Sequence, residues 1–127
     1  MGYDLEFVQV AVDKNASFPI DAEATGALLR KPIAFKDPAV VSKALLRLEG
    51  AKPGPGGTID YLATGLSYAR FTIEKDRVHV DNNLNCAGLL KIYEKLRTEL
   101  PSLLIRDLQS GQLHDAASYQ AWWSKPL

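Results

Sequence analysis

The chain has 127 residues, 15 basic and 15 acidic, with no formal net charge, 46% hydrophobic and 24% charged content. One domain spanning 1–127 is expected, long enough to bury roughly two thirds of its unfolded surface and too apolar to be disordered. Zero net charge argues against a nucleic-acid binder, the one cysteine, Cys86, rules out an internal disulfide framework and fits a reducing compartment, and no apolar run approaches the roughly 18–20 residues of a membrane span.

The amino terminus, MGYDLEFVQV, has no basic region ahead of an apolar core, and Glu6 stands where a myristoylation signal needs Ser or Thr. A cytoplasmic protein is therefore expected. Tyr3 to Val12 reads as the first strand. Leu5 and Phe7 alternate with Asp4 and Glu6, after which Val8, Val10 and Val12 carry the apolar role on the other parity. Either a bulge flips the phase or the far end is buried on both faces. Asp21 is placed to cap a short helix running to Arg30 and ended by Pro32, with Gly26 weakening its middle. Asp37-Pro38 is a cap followed by a first-turn proline, and Val41, Ala44, Leu45 and Leu48 form a stripe, so a helix is predicted from Pro38 to Glu49. Ala51 to Gly57, AKPGPGG, reads as a loop because two prolines and three glycines oppose regular structure. Ile59 to Thr64 is compatible with a loop or a short element.

The strongest signal lies between Leu66 and Asp81. Ala69, Phe71 and Ile73 alternate with Tyr68, Arg70, Thr72 and Glu74, and Val78 and Val80 alternate with Arg77, His79 and Asp81. A turn at Lys75-Asp76, or a four-residue loop that preserves the faces since Lys-Asp is not a preferred two-residue turn, sets Glu74 opposite Arg77, Thr72 opposite His79 and Arg70 opposite Asp81, and it matches Ile73 with Val78 and Phe71 with Val80. Charge and hydrophobicity thus select one register. Asn82 and Asn83 are candidate caps for the helix that follows, in which Leu89, Ile92, Tyr93, Leu96 and Leu100 share a face, Lys95 and Glu99 are spaced to pair, and Pro101 is the stop. Leu103 to Asp107 is a strand, Gln109-Ser110-Gly111 a turn, Gln112 to His114 a short return strand, and Ala116 to Trp123 a final helical stretch stopped by Pro126. The resulting order, β-α-β-β-α-β, predicts an α+β fold: a ferredoxin-like split β-α-β sandwich, its antiparallel sheet carrying helices on one face, plus a C-terminal extension.

Several groups could carry chemistry. His79 to Cys86 runs from a strand end into a helix start, where the helix dipole favours an anion and would lower a thiol pKa. A nucleophilic Cys86 would need His79 or His114 as base, whereas the plainer reading makes it a small buried apolar residue. His79, Asp81, His114 and Asp115 are metal-capable types without metal-site spacing, and Gly50 to Gly57 has glycines and Lys52 but not in phosphate-loop order, since Gly57 is followed by Thr58 with no Lys between them. No catalytic residue, metal or cofactor is therefore assigned. Tyr119, Trp122 and Trp123 form an aromatic cluster that either covers the core or presents a ring to a partner.

The opening M-G-Y-D-L-E-F, the internal strand pair, the capped helix ahead of a Pro-terminated strand, and the late D-L-Q-S-G-Q-L-H-D resemble small bacterial α+β proteins, some of them encoded beside toxin genes as immunity proteins. The resemblance implies stoichiometric binding to a cognate toxin without catalysis, and it assigns no residue by position. The expected protein-binding surface is the polar sheet face, Tyr68, Arg70, Thr72, Glu74, Arg77, His79 and Asp81, with Trp122 or Trp123 beside it. The alternatives are a small-molecule-sensing or homodimeric module of the same fold, and a small enzyme using Cys86.

Overall fold

Alternation between positions 66 and 81 does build a hairpin, and it lies inside a larger sheet. The computed structural model describes residues 3–63 and 65–124. Thr64 and Pro126, the expected stop of the last helix, lie outside the described residues. The elements are β1 Tyr3–Gln9, α1 Ala22–Leu28, α2 Pro38–Leu46, β2 Ala51–Pro53, a 3-10 turn Pro55–Gly57, β3 Ile59–Leu62, β4 Tyr68–Ile73, β5 Arg77–Asn82, α3 Cys86–Glu99, β6 Leu103–Asp107, β7 Leu113–His114 and α4 Ala116–Trp123. The sheet runs β2-β3-β4-β5-β1-β6-β7, with every neighbouring pair antiparallel. This is an α+β fold with seven strands among the described residues, more than the split β-α-β plan contains.

The register between β4 and β5 is the expected one: Arg70 faces Asp81, Phe71 faces Val80, Thr72 faces His79 and Ile73 faces Val78. Glu74 N–H donates to Arg77 O at 2.8 Å, closing the turn at Lys75-Asp76. The segment Ala51 to Gly57 corrects the expectation of a loop. Ala51 and Lys52 pair with Tyr61 and Asp60 before the glycines intervene, and Pro53 sits on the outer strand, where its missing N–H breaks no ladder. Pairing with β4 likewise settles Ile59–Leu62 as a strand, one that its local composition left open.

Side chains of one parity from five strands converge on a single core. Leu5, Phe7, Ile59, Ala69, Phe71, Val78, Val80, Leu103 and Ile105 pack there with Val41, Leu45 and Leu48 at α2, Leu89, Ile92, Tyr93 and Leu96 of α3, and Tyr119 of α4. The Tyr93 hydroxyl donates to Leu103 O at 2.5 Å, fastening α3 to β6. A second, smaller cluster corrects the expectation that all helices share one face. Val8, Val10 and Leu113 point the other way and are covered by Leu28 of α1 with Phe18, Ile20 and Leu29. The phase change in the first strand is therefore burial on both faces near its end, with no interruption of its register.

Caps explain the helix starts. Asp21, Asp37 and Asp115 each accept a bond from a first-turn N–H. Asn85, and neither Asn82 nor Asn83, caps α3, its Oδ1 accepting from Gly88 N–H at 2.8 Å. Asn82 is instead the buried last residue of β5, and its Oδ1 accepts from Leu84 N–H at 2.9 Å. Asn83 spends its amide on the strand opposite, accepting from Tyr68 N–H at 2.7 Å and donating to Leu66 O at 3.0 Å. The expected Lys95–Glu99 pair is also replaced: Glu99 meets Arg47 of the neighbouring α2 end at 3.5 Å.

Candidate functional site

Since α2, α3 and α4 occupy one face and α1 covers only the β1, β6 and β7 end of the other, the second face of β3, β4 and β5 is left open by the described residues. The strand registers write its residues in two rows. Lys52, Asp60, Arg70, Asp81 and Asp4 stand side by side in the first, and Thr72, His79, Glu6 and Arg106 in the second. Tyr68 and Leu62 are opposed at the end nearest the β3–β4 connection.

Ion pairs order these rows. Arg70 grips Asp60 with two bonds, Nε to Oδ1 at 2.7 Å and Nη2 to Oδ2 at 3.1 Å. Those bonds hold the Asp60 carboxyl below its ordinary pKa and the guanidinium above its own. Such a fork costs Arg much of its freedom before any partner arrives. Glu6 is buried at 7% exposure and bridges two arginines, Oε2 to Arg77 Nη1 and Oε1 to Arg106 Nη1, both at 3.2 Å. Arg77 is also held by Asp76 at 3.2 Å, and that bond is the main reason its pKa rises. His79 Nε2 lies 3.4 Å from Asp4 Oδ2.

Tyr68, Arg70, Thr72, Arg77, His79 and Asp81 are thus brought together on the open face as expected, with Glu74 at its margin. Two side-chain partnerships differ. Arg70 stands opposite Asp81 but bonds Asp60, because β3, which the sequence left open between loop and strand, supplies a carboxylate on the other side. Arg77 is opposite Glu74 through the backbone only and sends its guanidinium to Glu6 and Asp76.

Trp122 and Trp123 are not beside this surface. They ride on α4, across the sheet, where Trp122 packs on the main core with its ring centroid 5.8 Å from Tyr119 and 5.9 Å from His114. Trp123 is 40% exposed, and its Nε1–H donates to the Tyr119 hydroxyl at 3.1 Å. The apolar rim of the open face comes instead from the β3–β4 connection, with Leu62 58% and Leu66 93% exposed. An open hollow of about 400 Å³ lies between this rim and the charged row, lined by Lys52, Asp60, Leu62, Tyr68, Arg70 and Asp81.

Asp4, Glu6, Lys52, Asp60, Leu62, Leu66 and Arg106 are contributors that the sequence did not assign to this surface. The polar parity of Asp4 and Glu6 in the first strand was a usable signal; nothing local marks Asp60 or Arg106. Cys86 begins α3 half-buried against the core, and burial pushes its thiol pKa up, against the thiolate that the helix start alone suggests. His79 is on the opposite face of the sheet, and His114 is enclosed beside α4. Among the described residues no group of three His, Cys, Asp or Glu side chains could hold a metal ion. No helix among them is long and apolar enough to cross a membrane.

No protein-family model matches this chain, and neither a curated protein nor a solved structure is detectably similar to it.

Proposed function

We propose that this chain is a non-enzymatic, cytoplasmic protein-binding domain whose open sheet face receives another protein, in the manner of an immunity-type inhibitor that masks a bacterial toxin. One observation carries the reading: half of one sheet face has no helix over it, its charges are fixed in place by Asp60–Arg70 and Arg77–Glu6–Arg106, and exposed Leu62 and Leu66 stand at its rim. A face of this kind offers charge pattern for specificity and apolar surface for desolvation. Leu62, Leu66 and Tyr68 take the anchoring role first given to the two tryptophans.

We read the sheet as a ferredoxin-like split β-α-β plan with additions. Its inner strands run β4-β5-β1-β6, with α2 preceding β4 and α3 linking β5 to β6 on one face; β2 and β3 extend it on one side and β7 on the other. The homodimeric alternative through sheet edges is disfavoured by the edges themselves, three residues with a proline in β2 and two residues in β7. The raised thiol pKa disfavours the enzyme using Cys86.

The test is purification from its own cell at endogenous level. The expected result is a one-to-one complex with the product of an adjacent gene, lost in Leu62→Asp and in Arg70→Glu variants that keep the parent's melting temperature. Recovery of the chain alone, or a complex indifferent to both substitutions, sinks the proposal.

A further inference from the structure

His114 closes β7 with no exposure to solvent, and its ring lies between sheet and helix. Nδ1 is 3.0 Å from Ser118 Oγ on α4, the ring meets Tyr119 edge-on at 5.7 Å, and Trp122 is tilted against it at 5.9 Å. Nε2 is fully enclosed and has no hydrogen-bond partner. In the neutral ring this leaves one nitrogen unsatisfied. In the charged ring both nitrogens must donate, and the second N–H would point at nothing able to accept it. The charges reaching the ring are Asp107 of β6 and Asp115 at the cap of α4; α3 and the Ile20 segment, which also pack around α4 and β7, add none. Both carboxylates are already engaged, Asp107 by Gln109 N–H and by the Ser110 N–H and hydroxyl, and Asp115 by Ser118 N–H.

We infer that His114 makes the docking of α4 acid-sensitive: the helix is held by a neutral imidazole and loosened when that ring takes up a second proton. Among the described residues the aromatic contacts of His114 are to α4, the last element described, which packs on α3, β6 and β7 from outside the sheet. Burial lowers the His114 pKa in the docked form, outweighing the two carboxylates that pull it up. The sign follows directly. With the docked value below that of a released, solvated ring, docking is at full strength above the ordinary His pKa of about 6.5 and weakens as pH falls, by up to about tenfold per pH unit until the docked ring itself titrates. Loosening uncovers Tyr119 and Trp122 and the part of the core beneath them.

Native-state hydrogen exchange on the full chain tests this. Opening constants for the Tyr119 to Trp122 amides, corrected for intrinsic pH dependence, should rise about tenfold between pH 7 and pH 5 while those of β1 and β5 do not follow. His114→Asn keeps a polar atom toward Ser118 and cannot titrate, so it should abolish the rise. Equal α4 opening at both pH values, an undiminished rise in His114→Asn, or β1 and β5 opening together with α4 each overturns the inference. Should that variant fail to fold, NMR titration of the His114 ring in the parent chain decides, since a value at or above the ordinary one overturns it equally.

Discussion

Glu6→Gln is the most informative single change, because Glu6 is the one buried charge on the open face among the described residues and it serves two arginines at once. Its carboxylate lies 3.2 Å from a nitrogen of both Arg77 and Arg106, and the side chain is only 9% exposed. The isosteric amide removes the charge and turns an N–H₂ toward one of two guanidiniums. Breaking a fully buried pair costs about 3–5 kcal/mol. Both arginines keep 29% side-chain exposure, so water recovers part of that, and about 2–3 kcal/mol is expected. With an unfolding entropy of about 2.1 cal/mol/K per residue over 127 residues, the melting temperature should fall by about 7–11 °C. The loss is not shared equally. Asp76 remains on Arg77, whereas Arg106 has no second ion pair among the described residues and its Nε is already without a partner. A double-mutant cycle by thermal denaturation should therefore couple Glu6 more strongly to Arg106 than to Arg77. A melting shift under about 2 °C, or stronger coupling to Arg77, would refute the reasoning.

Three further outcomes are expected. Asn85→Ala removes the α3 cap and should cost about 1 kcal/mol by urea denaturation, whereas Asn83→Ala should act through the β4–β5 junction and leave α3 helicity intact. Gly50 has φ of 94° and a Cβ there would strike Leu62 O, so Gly50→Ala should lose more than the roughly 1–2 kcal/mol of left-handed strain alone, read from the same denaturation curves. Cys86 should alkylate more slowly than a free thiol at pH 7 and speed up as pH rises, because burial holds its pKa high; rapid iodoacetamide labelling at pH 7 would contradict this.

What the sequence made legible follows a physical division. The β4–β5 register was readable because polar and apolar parities agree over two adjacent arms, and a slip of one residue would bury Arg70 and His79. Asp37-Pro38 and Asp21 marked true helix starts for the same reason of locality, each acting on N–H groups within three residues. The Ala51–Leu62 strands were not readable. Their order comes from pairing with β4, and their own composition, with Pro53, Gly54, Pro55, Gly56 and Gly57, speaks for irregular chain. That ambiguity carried over to the site, since Arg70 was matched to the neighbour in view, Asp81, while its actual partner, Asp60, sits on the segment left open between loop and strand. The tryptophans failed differently: the aromatic cluster was legible, but which side of the sheet α4 covers is decided by Tyr119 entering the core.

The additional strands also bear on how the open face would work. Without β2 and β3, β4 would be an edge, and its exposed backbone would invite strand addition as the mode of association. With them in place the edge is displaced to a three-residue strand containing a proline, and β4 becomes an interior strand that can be met only through its side chains. The same hairpin supplies Asp60, which immobilises Arg70 from within the sheet, and Leu62, which lies against Tyr68. An Arg70 already locked in a two-bond fork loses less rotamer freedom on meeting a partner, so the Asp60–Arg70 pair would contribute little to folding at its exposed position and more to association. Charge pattern, rim and edge protection thus come from one inserted hairpin, which is why the proposed recognition is assigned to the face of the sheet.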